Sequence, residues 1–127
     1  MGGRGASSGG GRAGTFKNSS EFEKSLTGAN DPRIKEYSDA FSEESQYNQG
    51  LKSNMERAIN EDGFSVVENA IQSELRSTRN QINSMPDNKT PTQLGMLDAL
   101  QERVQILKDL QRRRGEVGRG RGNVDII

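Results

Sequence analysis

The 127-residue chain contains no cysteine, no histidine and no tryptophan. Thiolate nucleophiles, disulfides, His-anchored zinc sites and the usual neutral-pH general base are thereby excluded. The lack of cysteine assigns no compartment, because it fits a reducing cytosol and a disulfide-free secreted protein equally. No apolar run approaches the ~18 residues that a membrane span needs. The opening GGRGASSGGGRAGTF has no apolar stretch that would serve a signal peptide, so the mature chain is expected to begin at Met1. Apolar residues are scarce too: Phe, Leu, Ile and Val together number 24, close to the minimum for a packed core. A large sheet or barrel around a deep substrate cavity needs more chain and more apolar residues than this.

What is present is unevenly distributed. Seven of the fifteen glycines fall in the first fourteen residues and four more between Gly115 and Gly122. Lys plus Arg and Asp plus Glu balance at 18 each, so high net charge, the other half of the disorder signature, is missing. That balance hides a division: residues 1–20 and 112–127 each carry a net +3, whereas 21–63 carries −5. The composition predicts a flexible Gly/Ser-rich tail over 1–30, a helical domain over 31–114 and a flexible Gly/Arg tail over 115–127.

The helical signals lie between those tails. Thr90, Pro91 and Gln93 form an N-cap, an N1 proline and the partner of a capping box. Leu94, Leu97, Leu100, Val104, Leu107 and Leu110 then recur at three and four residues. Arg112, Arg113 and Arg114 fit a last turn, with Gly115 as a left-handed stop and Gly95 as a minor local cost. Upstream, Ser65 and Glu68 suggest a second capping box before Val67, Ile71, Leu75 and Ile82. The short connection through Pro86 folds these two helices into an antiparallel hairpin, read as the core. Asp31 and Pro32 open a third region to about residue 61, where the aliphatic-free stretch from Ser42 to Gly50 favours a break into two helices over one long helix. A short helix over 21–26, entered through Ser20 and closed by Gly28, is marginal alone. No segment alternates as a strand. The fold class expected is all-α: a helical hairpin, a preceding acidic helical region and disordered tails.

Three groups of residues are candidates for binding. Arg112, Arg113, Arg114, Arg119 and Arg121 suit phosphate, yet no aromatic is interleaved to stack on bases, and the first three also complete a helix dipole. Glu36, Asp39, Glu43 and Glu44 place carboxylates along one side of a helix, either as a partner-binding stripe imitating a phosphate backbone or as a solvated face. Leu97, Leu100, Val104 and Leu107 form a seam that is either internal core or an association surface. Met96, Ala99, Arg103 and Ile106 are surface that a lone hairpin would leave wet. No calcium-type ligand loop occurs, and a Gly-rich start without the lysine of a phosphate loop is not one. No catalytic residue, metal site, cofactor or small-molecule substrate is expected, and the chain is read as non-enzymatic.

The opening MGGRGASSGGG resembles the Gly-Arg-Ser beginnings of small phage- and prophage-encoded proteins, including minor head (morphogenesis) proteins of phages of Gram-positive bacteria. That resemblance covers about ten residues and implies a phage origin, with a place in the bacterial host cytoplasm or on the virion. The expected role is binding a protein partner or self-association, foremost as an accessory of virion assembly. The alternatives are an inhibitor of a bacterial defence or host nucleoprotein complex and a nucleic-acid-binding accessory.

Overall fold

A computed structural model describes residues 15–126 of the chain, with side chains through Arg114. The predicted tail over 1–14, with its Gly-Arg-Ser start, lies outside the described residues, as do the side chains of Arg119 and Arg121. Four helices occur among the described residues: α1 (Ser19–Ser25), α2 (Pro32–Asp62), α3 (Ser65–Asn83) and α4 (Pro91–Ile126). There is no strand among them, only an isolated bridge between Phe16 and Lys89.

Residues 15–30 are structured, which corrects the expectation of a tail reaching residue 30. Phe16 exchanges backbone hydrogen bonds of 2.7 and 2.6 Å with Lys89 in the α3–α4 connection. Asn18, not Ser20, caps α1: its side chain accepts from the Glu21 N–H at 2.8 Å. Seven residues are too few for a helix in water, so packing must hold it. Phe22 stands edge-on to Phe16 at 5.2 Å and stacks on Tyr37 at 5.4 Å, above the buried Leu94. These contacts bury the apolar surface that Gly-rich neighbours lack, and they order the segment.

Helix α2 begins as its sequence suggests. Asp31 accepts from the Arg33 N–H at 3.0 Å, Pro32 occupies the first turn, and the Arg33 guanidinium returns to the Asp31 carboxylate at 2.7 Å. Those bonds from Arg33 hold the Asp31 carboxyl far below the ordinary carboxylate range. The expected break between Ser42 and Gly50 is absent, and α2 runs unbroken to Asp62. Its polar middle turns one side inward: Asn48 is fully buried and Glu44 and Ser45 are partly so. Contacts with α4 replace the missing aliphatic packing there.

The α2–α3 connection is only Gly63 and Phe64. Gly63 has φ 96°, a conformation that favours glycine, and its N–H donates to the Ile59 carbonyl at 2.9 Å. The capping box expected at Ser65 is not formed: Phe64, with helical φ and ψ, takes the N-cap position and no side chain caps α3. Phe64 is buried instead, and Glu68 pairs elsewhere. At α4 the box is complete, with Thr90 N–H donating to Gln93 at 3.0 Å and Gln93 N–H to Thr90 Oγ1 at 3.1 Å. The expected stop at Gly115 is not taken, and α4 continues to Ile126. Glycine permits a left-handed cap without imposing one, and no proline follows to end the helix.

The hairpin of α3 and α4 is present, but the largest interface lies between α2 and α4. Tyr37 meets Asp98, Glu44 meets Arg103 and Glu56 meets Arg113. Since both numbers rise together, the two helices run parallel. Helix α3 runs antiparallel to them, with Tyr47 against Glu74 and Arg114 against Glu68. The close approach needs Gly95. A Cβ there would overlap the Tyr37 carbonyl oxygen and stand 3.0 Å from the Phe41 nitrogen and 3.1 Å from Ala40 Cβ. Gly95 is therefore the crossing point of two helices rather than a minor local cost. One apolar cluster, with Met55, Ile59, Phe64, Ile71, Leu75, Leu107 and Leu110, draws on all three long helices. The second is the aromatic cap around Phe16, Phe22 and Leu94 at the other end.

Candidate interaction surface

Between the two apolar clusters lies a row of polar contacts joining α2 to α4. Asn48 Nδ2 donates to the Ala99 carbonyl and to Glu102 Oε1, both at 2.8 Å. Ser45 donates to the same Glu102 oxygen at 2.9 Å. Arg103, 5% exposed, donates from Nε to Asn48 Oδ1 at 2.6 Å and from its terminal nitrogen to Glu44 at 2.8 Å. Every strong donor and acceptor of Asn48 is thus used inside the fold, which a buried amide requires. A little further toward the start of α4, Asp98 accepts from both Ser19 and Tyr37. Burial foremost, and then the Asp98 carboxylate, push the Tyr37 hydroxyl up to about 12.

This inner network shapes an outer one. The Arg103 guanidinium lies 4.5 Å from the centre of the Tyr47 ring, a cation–π contact. Tyr47 itself is 50% exposed and its hydroxyl reaches Glu74 on α3 at 3.4 Å. Partial burial, and next the Glu74 charge, raise its pKa. A shallow groove between α2 and α3 is lined by Glu43, Glu44, Tyr47, Glu74 and Arg103, with Ser77 and Gln81 at its edge. Three carboxylates therefore surround an aromatic ring that a buried cation holds in place.

The structure sorts the predicted site residues. Of the acidic stripe, Glu36, Asp39 and Glu43 are exposed, with Asp39 paired to Lys35 at 2.7 Å, whereas Glu44 turns inward to Arg103. The described arginines of the basic group are all paired: Arg112 with Asp109, Arg113 with Glu56 and Arg114 with Glu68. The last two tie α4 to α2 and α3, which local sequence does not reveal. Leu100 and Leu107 are fully buried within the chain, and Leu97 and Val104 partly so. The seam is thus mostly internal core. The expected wet surface at Ala99 and Arg103 is covered by α2.

Reasoning from the sequence missed Tyr47 and Glu74. The signal available was an aromatic at position 47 in a stretch without aliphatics, which an exposed surface helix does not need. Among the described residues, no group of three or more acidic side chains is placed to hold a metal ion. No helix among them is long and apolar enough to cross a membrane. Comparison with known proteins gives no matching family model, no similar characterised protein and no similar solved structure.

Proposed function

We propose that this chain is a non-enzymatic, phage-type interaction protein that docks onto a basic macromolecular partner through the groove around Tyr47. The observation that carries the reading is the half-exposed Tyr47 ring, backed by the buried Arg103 and flanked by Glu43, Glu44 and Glu74. An aromatic already fixed in place loses little side-chain entropy on binding, and such residues anchor protein interfaces. Carboxylates around the anchor favour lysine- and arginine-bearing surfaces and repel acidic ones. Glu36 and Asp39 extend this negative surface toward the start of α2.

Within a phage, such a chain serves as an accessory of virion assembly or as an inhibitor of a bacterial defence or host nucleoprotein complex. With Leu100 and Leu107 inside the monomer, self-association through the leucine seam loses its support. A row of carboxylates competes with phosphates for a cationic groove, and this favours the inhibitor. The test is capture of partners from nuclease-treated bacterial lysate by the tagged full chain and by a Tyr47→Ala, Glu74→Lys variant with the same melting curve. One stoichiometric basic protein held by the natural chain and lost by the variant supports the reading. Capture indifferent to the variant, or none at all, rejects it. Incorporation into phage particles would return the case to assembly.

A further inference from the structure

A second surface adjoins the Tyr47 groove along Ser77 and Gln81 and differs from it in the sign of its charge. Three shallow depressions run together over α3 and α4. Arg76 and Asn80 line the first two, Gln111 lines the second and third, and Lys108 and Arg112 complete the third. None of the three is lined by a carboxylate. Apart from the four cations and Leu75, the lining consists of serine hydroxyls and of asparagine and glutamine amides. The two acids of α3 are directed elsewhere: Glu68 pairs with Arg114, and Glu74 meets Tyr47. At the far edge Asp109 pairs with Arg112 and accepts from the Gln105 amide at 3.2 Å.

The geometry points to this α3–α4 strip as a binding site for the phosphodiester backbone of a double-stranded nucleic acid. Cations supply the attraction, and neutral amides and hydroxyls donate hydrogen bonds to phosphate and sugar oxygens without charge of their own. Arg76 and Arg79 stand one helical turn apart, so both reach the same strand. From Gln72 to Ser84 the strip extends ~18 Å at 1.5 Å per residue, room for about five phosphates at ~3.4 Å of axis each. No aromatic side chain lines it. A single strand, which binds largely by stacking its bases on such rings, gains little there, whereas a duplex presents its backbone outward. The site shares Arg112 with the expected arginine group but not Arg113 and Arg114, which are paired within the fold.

The test measures fluorescence anisotropy of labelled DNA and RNA duplexes, and of the matching single strands, titrated with the full chain at several salt concentrations. Two variants are compared: Arg76→Glu with Arg79→Glu, both exposed positions, and Arg119→Ser with Arg121→Ser. The natural chain is expected to bind duplex more tightly than single strand, with log affinity falling about 2 to 3 per decade of salt. The α3 reversal is expected to weaken binding about tenfold or more and flatten that slope, with an unchanged melting curve, while the second variant retains the strip's binding. The DNA and RNA arms identify which duplex is preferred. Absence of duplex binding at low salt, preference for single strands, or loss with the second variant but not the α3 reversal would each overturn the inference.

Discussion

Replacing Gly95 by alanine changes one methyl group, and the structure assigns it an unusual sign. In an exposed helix, Gly→Ala stabilises by about 1 kcal/mol, because glycine gives up more backbone freedom on folding. At Gly95 the added Cβ overlaps the Tyr37 carbonyl oxygen and crowds the Phe41 nitrogen and Ala40 Cβ. Two of these are backbone atoms, so no rotamer change relieves the clash and α2 must move away from α4. Overpacking of this kind costs typically about 1–3 kcal/mol, and a backbone obstacle places it at the upper end. The net expectation is destabilisation by about 2 kcal/mol. Gly50, on the same α2–α4 pair, is the control: a Cβ there meets nothing within 4 Å, so Gly50→Ala is expected to stabilise by about 1 kcal/mol, or roughly 4 °C in Tm. Urea denaturation followed by far-UV circular dichroism reads both. Stabilisation by both substitutions would refute the close crossing of α2 and α4 at Gly95.

Thr78 is fully buried and its hydroxyl has no hydrogen-bond partner. Thr78→Val keeps the shape and removes the orphan group, so denaturant unfolding should show a gain of about 1 kcal/mol. Arg103→Ala leaves the buried Asn48 oxygen and Glu44 without their donor. The expected loss is about 3 kcal/mol by the same assay, against less than about 1 for Arg113→Ala at its more exposed pair with Glu56. The fold favours the neutral form of Tyr37, whose pKa is raised from 10.0 to about 12 by burial first and by Asp98 second. Its contribution to stability is whole below pH 10 and is lost as pH rises toward about 12. Melting curves taken across that window should fall more steeply for the natural chain than for Tyr37→Phe.

Local rules located what local forces decide. The start of α4 was legible because Thr90 and Gln93 satisfy each other's backbone within one turn. The same pattern at Ser65 and Glu68 failed, because the two-residue connection from Gly63 places Phe64 at the helix entry and Arg114 claims Glu68. The continuity of α2 was hidden for a related reason. Its polar middle is held by Asn48 and Glu44 meeting Arg103, more than fifty residues away in sequence, a pairing that no window around Gly50 contains. Phe16 and Phe22 were legible as aromatics but not as core, since their burial depends on Tyr37 and Leu94. Among the candidate binding residues, spacing alone placed Glu36, Asp39 and Glu43 on one side of α2, where all three are exposed. The ion pairs of Arg113 and Arg114 were hidden, because their partners Glu56 and Glu68 sit on other helices.

The Tyr47 surface rests on α2 and α4 running side by side in the same direction, which sets Arg103 against the Tyr47 ring. The direct measurement is pulsed electron spin resonance between spin labels on cysteines introduced into this cysteine-free chain, at Lys35 with Thr92 and at Lys35 with Arg112, all exposed positions. A parallel pair gives the shorter distance for Lys35 with Thr92 and adds roughly 20–30 Å for Arg112, twenty residues further along the helix. The reverse order, with Lys35 close to Arg112, would contradict the account.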